Sequence, residues 1–171
     1  MLQDTLKTIL ANTVVLKYKA QGYHWNVKGM FFPQLHEFFG NLYEEFEGAI
    51  DPIAEEIRTL GIDAPMGLGA FISLRTIQDG TATTPVDMIL DLYQSNMEMI
   101  NLLTRAFEES EAVKKYGIND FIGARIDAHE KHGWMLRTIA SGVGVREEVE
   151  NSIADINEKY SFTSWTKSRN K

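Results

Sequence analysis

Apolar residues recur at three- and four-residue steps through four long stretches of the chain, and each stretch reads as an amphipathic helix. The first runs from Leu2 to about Tyr23 on Leu6, Ile9, Leu10, Leu16, Ala20 and Tyr23, with no proline and no glycine before Gly22. The second is expected from about Gln34 to about Leu60 on Leu35, Phe38, Phe39, Leu42, Phe46, Ala49, Ile50, Ile53 and Ile57, with Pro33 at its start and Gly61 at its end. Proline suits a first turn, where its missing N–H has no helical partner. Pro52 falls inside this helix, but the residue four earlier is Gly48, so a kink is expected rather than a break. The third helix is expected from about Pro85 to Ser110, with Thr84 as N-cap, and carries Met88, Leu92, Met99, Leu102, Leu103 and Ala106. The fourth, from about Asn119 to Ala140, carries Phe121, Ile122, Ile126, Leu136 and Ile139 and stops before Gly142 and Gly144.

Short links join the first helix to the second and the third to the fourth. Residues Gly61 to Thr84 form a long crossover, with a short helix expected around Leu68 to Ile77. No stretch reads as a strand. The pattern is all-α: a four-helix bundle of the ferritin-like kind over residues 1–145. Val149, Ile153, Ile156 and Tyr160 then mark a further helix from about Arg146 to Tyr160. Together with a loose tail from Ser161 to Lys171 it makes a C-terminal extension over residues 146–171.

A chain of 171 residues can bury a real core as one domain. No apolar run approaches the ~20 residues that cross a bilayer, and the N-terminus lacks a secretory pattern, so no membrane is involved and a cytoplasmic location is expected. The absence of cysteine removes disulfides, thiolate nucleophiles and sulfur-based metal sites. Any metal must take nitrogen and oxygen. A net charge of −7 disfavours non-specific adhesion to nucleic acid and suits small cations.

Two of the four histidines and a spaced carboxylate pair then draw the eye: His24 in Tyr23-His24-Trp25-Asn26-Val27-Lys28-Gly29, His36 in Leu35-His36-Glu37, and Asp51 with Glu55. Histidine and carboxylate ligands without sulfur suit iron(II), manganese or zinc. Asp51 and Glu55 are four apart, so their carboxylates share one helix face. His36 lies fifteen residues before Asp51 on the same expected helix, about 22 Å along its axis. Either these residues are unrelated, or His24 and His36 of one subunit face Asp51 and Glu55 of another across a two-fold contact. His129 and His132 share a face of the fourth helix but show no third ligand nearby. Glu44, Glu45 and Glu47 read as a solvated run. The aromatics Phe31, Phe32, Phe38, Phe39 and Phe46 and the methionines Met88, Met97 and Met99 read as core or interface packing. No glutamate stands three residues before any histidine, so a di-iron centre inside one bundle is not expected.

These residues, with Asp51-x-x-Ala54-Glu55, the twelve-residue step from His24 to His36, and Glu130-Lys131-x-x-Trp134, resemble the signature of the Dps proteins, the mini-ferritins. The resemblance covers roughly residues 2 to 140. It implies a hollow dodecamer that self-assembles from copies of this chain. Iron would be bound by His24 and His36 of one subunit and Asp51 and Glu55 of its neighbour. Iron(II) would be oxidised there, by hydrogen peroxide in preference to dioxygen, and stored inside as iron(III), which protects against oxidative damage. Trp25 would lie beside the site and Asp120 near the iron-entry pores. One departure is Gly40, where the family usually has an aspartate; weaker or single-iron occupancy is expected. A second is the missing lysine-rich N-terminal arm. Lys167, Arg169 and Lys171, with Phe162 and Trp165, leave open a DNA contact through the tail, against the acidic balance of the whole. The alternative reading is a cage with an impaired ferroxidase centre that acts mainly on DNA.

Overall fold

The computed structural model describes residues 1–161. Among them it has helices only: α1 (Leu2–Asn26), α2 (Phe32–Thr59), α3 (Leu68–Leu74), α4 (Pro85–Ala112), α5 (Tyr116–Val143) and α6 (Arg146–Lys159). Here α1 packs along α2 and α4 along α5, while α1 against α4 joins the two pairs into a four-helix bundle. The stripes read from the sequence meet in one core, which includes Leu6, Ile9, Leu10 and Leu16 from α1, Phe39, Phe46, Ile53 and Ile57 from α2, Met88, Ile89 and Leu103 from α4, and Ile122 and Leu136 from α5. Burying a side chain of this size contributes ~1.5–3 kcal/mol. No helix among the described residues is long and apolar enough to cross a membrane.

The helix ends depart from the periodicity for local reasons. α1 runs three residues past Tyr23, because the Asn26 amide donates to the Gly22 carbonyl (2.7 Å) and the Val27 N–H to that of Tyr23 (2.9 Å). α4 ends at Ala112 rather than Ser110. Its last carbonyls are closed by Lys115 N–H on Ser110 O and Lys114 N–H on Glu111 O, both at 2.9 Å, with Lys114 in the left-handed region at φ 59°. This is the Schellman arrangement with lysine at the usual glycine position. α5 passes through Gly142 to Val143, and Pro52 is accommodated without breaking α2.

At the start of α4, Thr84 Oγ1 accepts from Asp87 N–H (3.2 Å) and donates to the Asp87 carboxylate (2.6 Å), as an N-cap should. Thr84→Ala is expected to lower the unfolding free energy by ~1 kcal/mol. It would be read as a shifted urea midpoint at unchanged slope, with Thr84→Ser close to wild type.

Buried polar side chains fasten the crossover to the bundle. Asn12 donates to Thr76 Oγ1 (2.9 Å) and accepts from the backbone N–H groups of Thr76 (2.9 Å) and Ile77 (3.2 Å). Lys19, buried in α1, reaches Asp91 (2.9 Å) and Ser95 (2.8 Å) on α4. The Tyr23 hydroxyl also bonds Asp91. Burial and the Asp91 carboxylate raise the Tyr23 pKa above the ordinary tyrosine range, so it stays a neutral donor. α6 packs on α4 and α5 through Val149, Ile153 and Ile156, and Tyr93 on α4 donates to Asn157 (2.6 Å). Of the tail, Phe162, Trp165, Lys167, Arg169 and Lys171 lie outside the described residues.

Candidate metal centre

His24 lies in the last turn of α1 and His36 in the second turn of α2. Between them the chain reverses through Gly29, whose φ of +100° suits a residue without a side chain, and Pro33 falls in the first turn of α2. The two imidazoles then hold one another. His24 Nδ1 is 2.6 Å from the carbonyl oxygen of His36, and His36 Nδ1 is 2.8 Å from that of His24. A carbonyl oxygen only accepts, so each Nδ1 carries a proton, and the neutral tautomer compatible with this contact has its lone pair on Nε2. Their rings stack with centroids 3.7 Å apart and planes 21° from parallel. Phe32 stacks on His36 at 5.1 Å, and Tyr43 meets His24 edge-on at 5.3 Å. A nitrogen fixed in this way is how proteins orient an imidazole for a metal on its other nitrogen.

Asp51 and Glu55 lie one turn apart on α2, both exposed. Because α2 is continuous, Asp51 remains about 22 Å and Glu55 about 28 Å from His36 along the helix. One chain therefore holds two separate halves: a histidine pair and a carboxylate pair. Among the described residues no group of three or more histidine, aspartate or glutamate side chains is placed to hold an ion. Around the histidine half, Trp25 is 66 % and Met30 88 % exposed, with Phe31 and Phe32 exposed beside them. Asp120 is an exposed residue in the second turn of α5.

His129 and His132 have different surroundings from those the spacing suggests. Both are buried between α2, α4 and α5, next to Phe46. His129 Nδ1 donates to Asn96 Oδ1 (2.7 Å), and Asn96 returns a bond to the His129 carbonyl (2.8 Å). Glu45 corrects the reading of residues 44–47 as a solvated run. It is half-buried, pairs with Arg125 and lies 3.8 Å from His132 Nε2, whereas Glu44 and Glu47 stay exposed. Periodicity along one helix hides this, because the partner comes from α5. The Arg125 guanidinium occupies the place that a cation bound by Glu45 and the two histidines would need, so this cluster is structural. Arg125 stands four residues before His129, a spacing from which their contact could have been read.

The chain is similar to known proteins. The ferritin-like domain family matches residues 3–142. A low temperature-induced protein of Nostoc sp. is 33% identical over 143 residues, covering 81% of this chain and 79% of its own. The DNA protection during starvation protein of Brevibacillus brevis is 31% identical, covering 74% of this chain and 86% of its own. Among solved structures, a Dps protein from Bacillus brevis superposes with a TM-score of 0.78 at 29% identity, over 81% of this chain and 93% of its own.

Proposed function

Because the chain belongs to the ferritin-like family and, within it, to the Dps proteins, we propose that it oxidises iron(II) and stores the iron(III) product inside a hollow cage of identical subunits, a dodecamer. The substrate iron is held at a two-fold interface by His24 and His36 of one protomer and by Asp51 and Glu55 of its neighbour. The observation that carries this reading is the reciprocal lock of His24 and His36, which leaves both Nε2 lone pairs without a hydrogen-bond partner among the described residues. The 22 Å between the halves supports a shared site, since a two-fold contact sets each half against its complement twice. Exposed Trp25, Met30, Phe31 and Phe32 beside the histidines form an apolar surface that such a contact would cover.

Overall, two iron(II) ions give up one electron each for every hydrogen peroxide consumed, which takes both electrons with two protons to form two waters. Dioxygen is the slower oxidant. The two imidazoles bind iron without adding charge, and the two carboxylates balance a divalent ion and favour the more highly charged product. Removing iron(II) and peroxide together suppresses hydroxyl-radical formation. That would protect DNA without any contact with it.

The test is anaerobic iron(II) oxidation on addition of hydrogen peroxide, with wild type and His36→Ala at the same assembled mass. Wild type is expected to oxidise iron far faster than free solution does. The variant should fall to the free-iron rate, having lost one ligand and the ring that stacks on the other. Equal rates in both samples would refute the centre.

A further inference from the structure

Gly40 stands one turn after His36 on α2, buried against the His24 ring. A Cβ placed there would lie 3.2 Å from His24 Nδ1 and 3.3 Å from its Cε1, closer than ordinary van der Waals contact. The ring has little room to yield. Its Nδ1 is bonded to the His36 carbonyl at 2.6 Å, one face is covered by His36 at 3.7 Å, and Tyr43 meets it edge-on. The atom a side chain would press on is the one that makes the orienting hydrogen bond.

We propose that Gly40 is a positioning residue that permits the mutual lock of His24 and His36, and thereby leaves their half of the site with two nitrogen donors, no carboxylate and room for one divalent cation. This rests on the metal-centre reading above and adds to it the number of ions and the residue that sets it. The argument is one of space and charge. Both imidazoles take their orientation from neutral backbone carbonyls, and among the described residues no aspartate or glutamate joins the pair to make a three-residue cluster. Among the described residues the anionic ligands are then Asp51 and Glu55 of the neighbour, and two carboxylates neutralise one divalent ion. A second ion would leave an uncompensated double positive charge between apolar walls. The glycine is thus an exchange: it forgoes a carboxylate for a rigid pair of nitrogens suited to cobalt(II), zinc or iron(II).

Cobalt(II) is the probe, because its visible absorption reports ligand type and geometry independently of any oxidation. The assembled full-length protein, Gly40→Ala, Gly40→Asp and His24→Ala are titrated with cobalt(II) by calorimetry and absorption, with the mass of each assembly recorded. Wild type is expected to bind one cobalt per histidine pair, and His24→Ala none. Gly40→Ala, which adds a methyl group and removes no ligand, should bind roughly ten-fold more weakly or worse with an altered spectrum. Gly40→Asp carries the same Cβ and should lose affinity at the histidine pair in the same way. Wild-type affinity and spectrum in Gly40→Ala, or two cobalt ions per pair in wild type, would overturn the proposal. Cobalt uptake unchanged by His24→Ala would instead refute the metal centre itself, a different signature.

Discussion

Cages assembled from two individually inactive variants are expected to recover about a quarter of the wild-type iron oxidation rate. One variant, His24→Ala/His36→Ala, keeps its carboxylates. The other, Asp51→Asn/Glu55→Gln, keeps its histidines. When the two meet across a two-fold interface, one of the two sites receives both histidines from the second and both carboxylates from the first, and is complete; the other site receives neither. Random mixing makes about half of all interfaces mixed, so about a quarter of all sites are rebuilt. The experiment works because α2 carries His36 and Asp51 on one continuous helix and so holds them apart. An intrachain centre would show no recovery at any mixing ratio. Native mass spectrometry establishes that mixed assemblies formed, and no activity in proven mixtures would exclude the shared site.

Acidification from pH 7.5 to 5.5 is expected to destabilise the protein through His129 and His132. Burial, chiefly, lowers the pKa of both below the ordinary histidine range. Glu45 pulls the other way at His132, whereas Arg125 adds to the lowering at both rings, His132 adds to it at His129 and Lys131 at His132. His132 Nδ1 is buried without a partner among the described residues, which is tolerable for a lone pair and costly for an N–H. In the unfolded chain both rings titrate near pH 6.5. Below that value the unfolded state takes up protons that the folded state refuses. The stabilisation is therefore complete above about pH 6.5 and is lost as pH falls, by up to ~1.4 kcal/mol per pH unit for each ring. Urea midpoints measured across this range should decline in wild type and flatten in His129→Gln/His132→Leu. A variant that keeps the wild-type slope would place the effect elsewhere.

Much of this was legible along the chain because helices advertise themselves locally. The stripes of Leu6, Ile9 and Leu10 or of Phe39, Phe46 and Ile53 alternate at the helical period whatever they pack against, and Thr84-Pro85 is a start signal complete in itself. The same holds for the distance between His36 and Asp51, which follows from the rise of one unbroken helix. Residue order thus determined the all-helical bundle with one long crossover, and that a single chain could not unite its four candidate ligands.

What only the tertiary structure decided are relations between helices. The charge state of the His129–His132 region depends on Arg125 from α5 meeting Glu45 from α2, and a reading of α2 by itself assigns Glu45 to solvent. The meaning of Gly40 also changed. Along the sequence it is a missing carboxylate, whereas in the folded protein it is the space that lets the His24 ring reach the His36 carbonyl. The physical reason is the same in both cases. Periodicity reports which face of a helix is apolar, but a hydrogen bond or an ion pair is fixed to a few tenths of an ångström by the crossing of two helices, and no single stretch of sequence encodes that crossing.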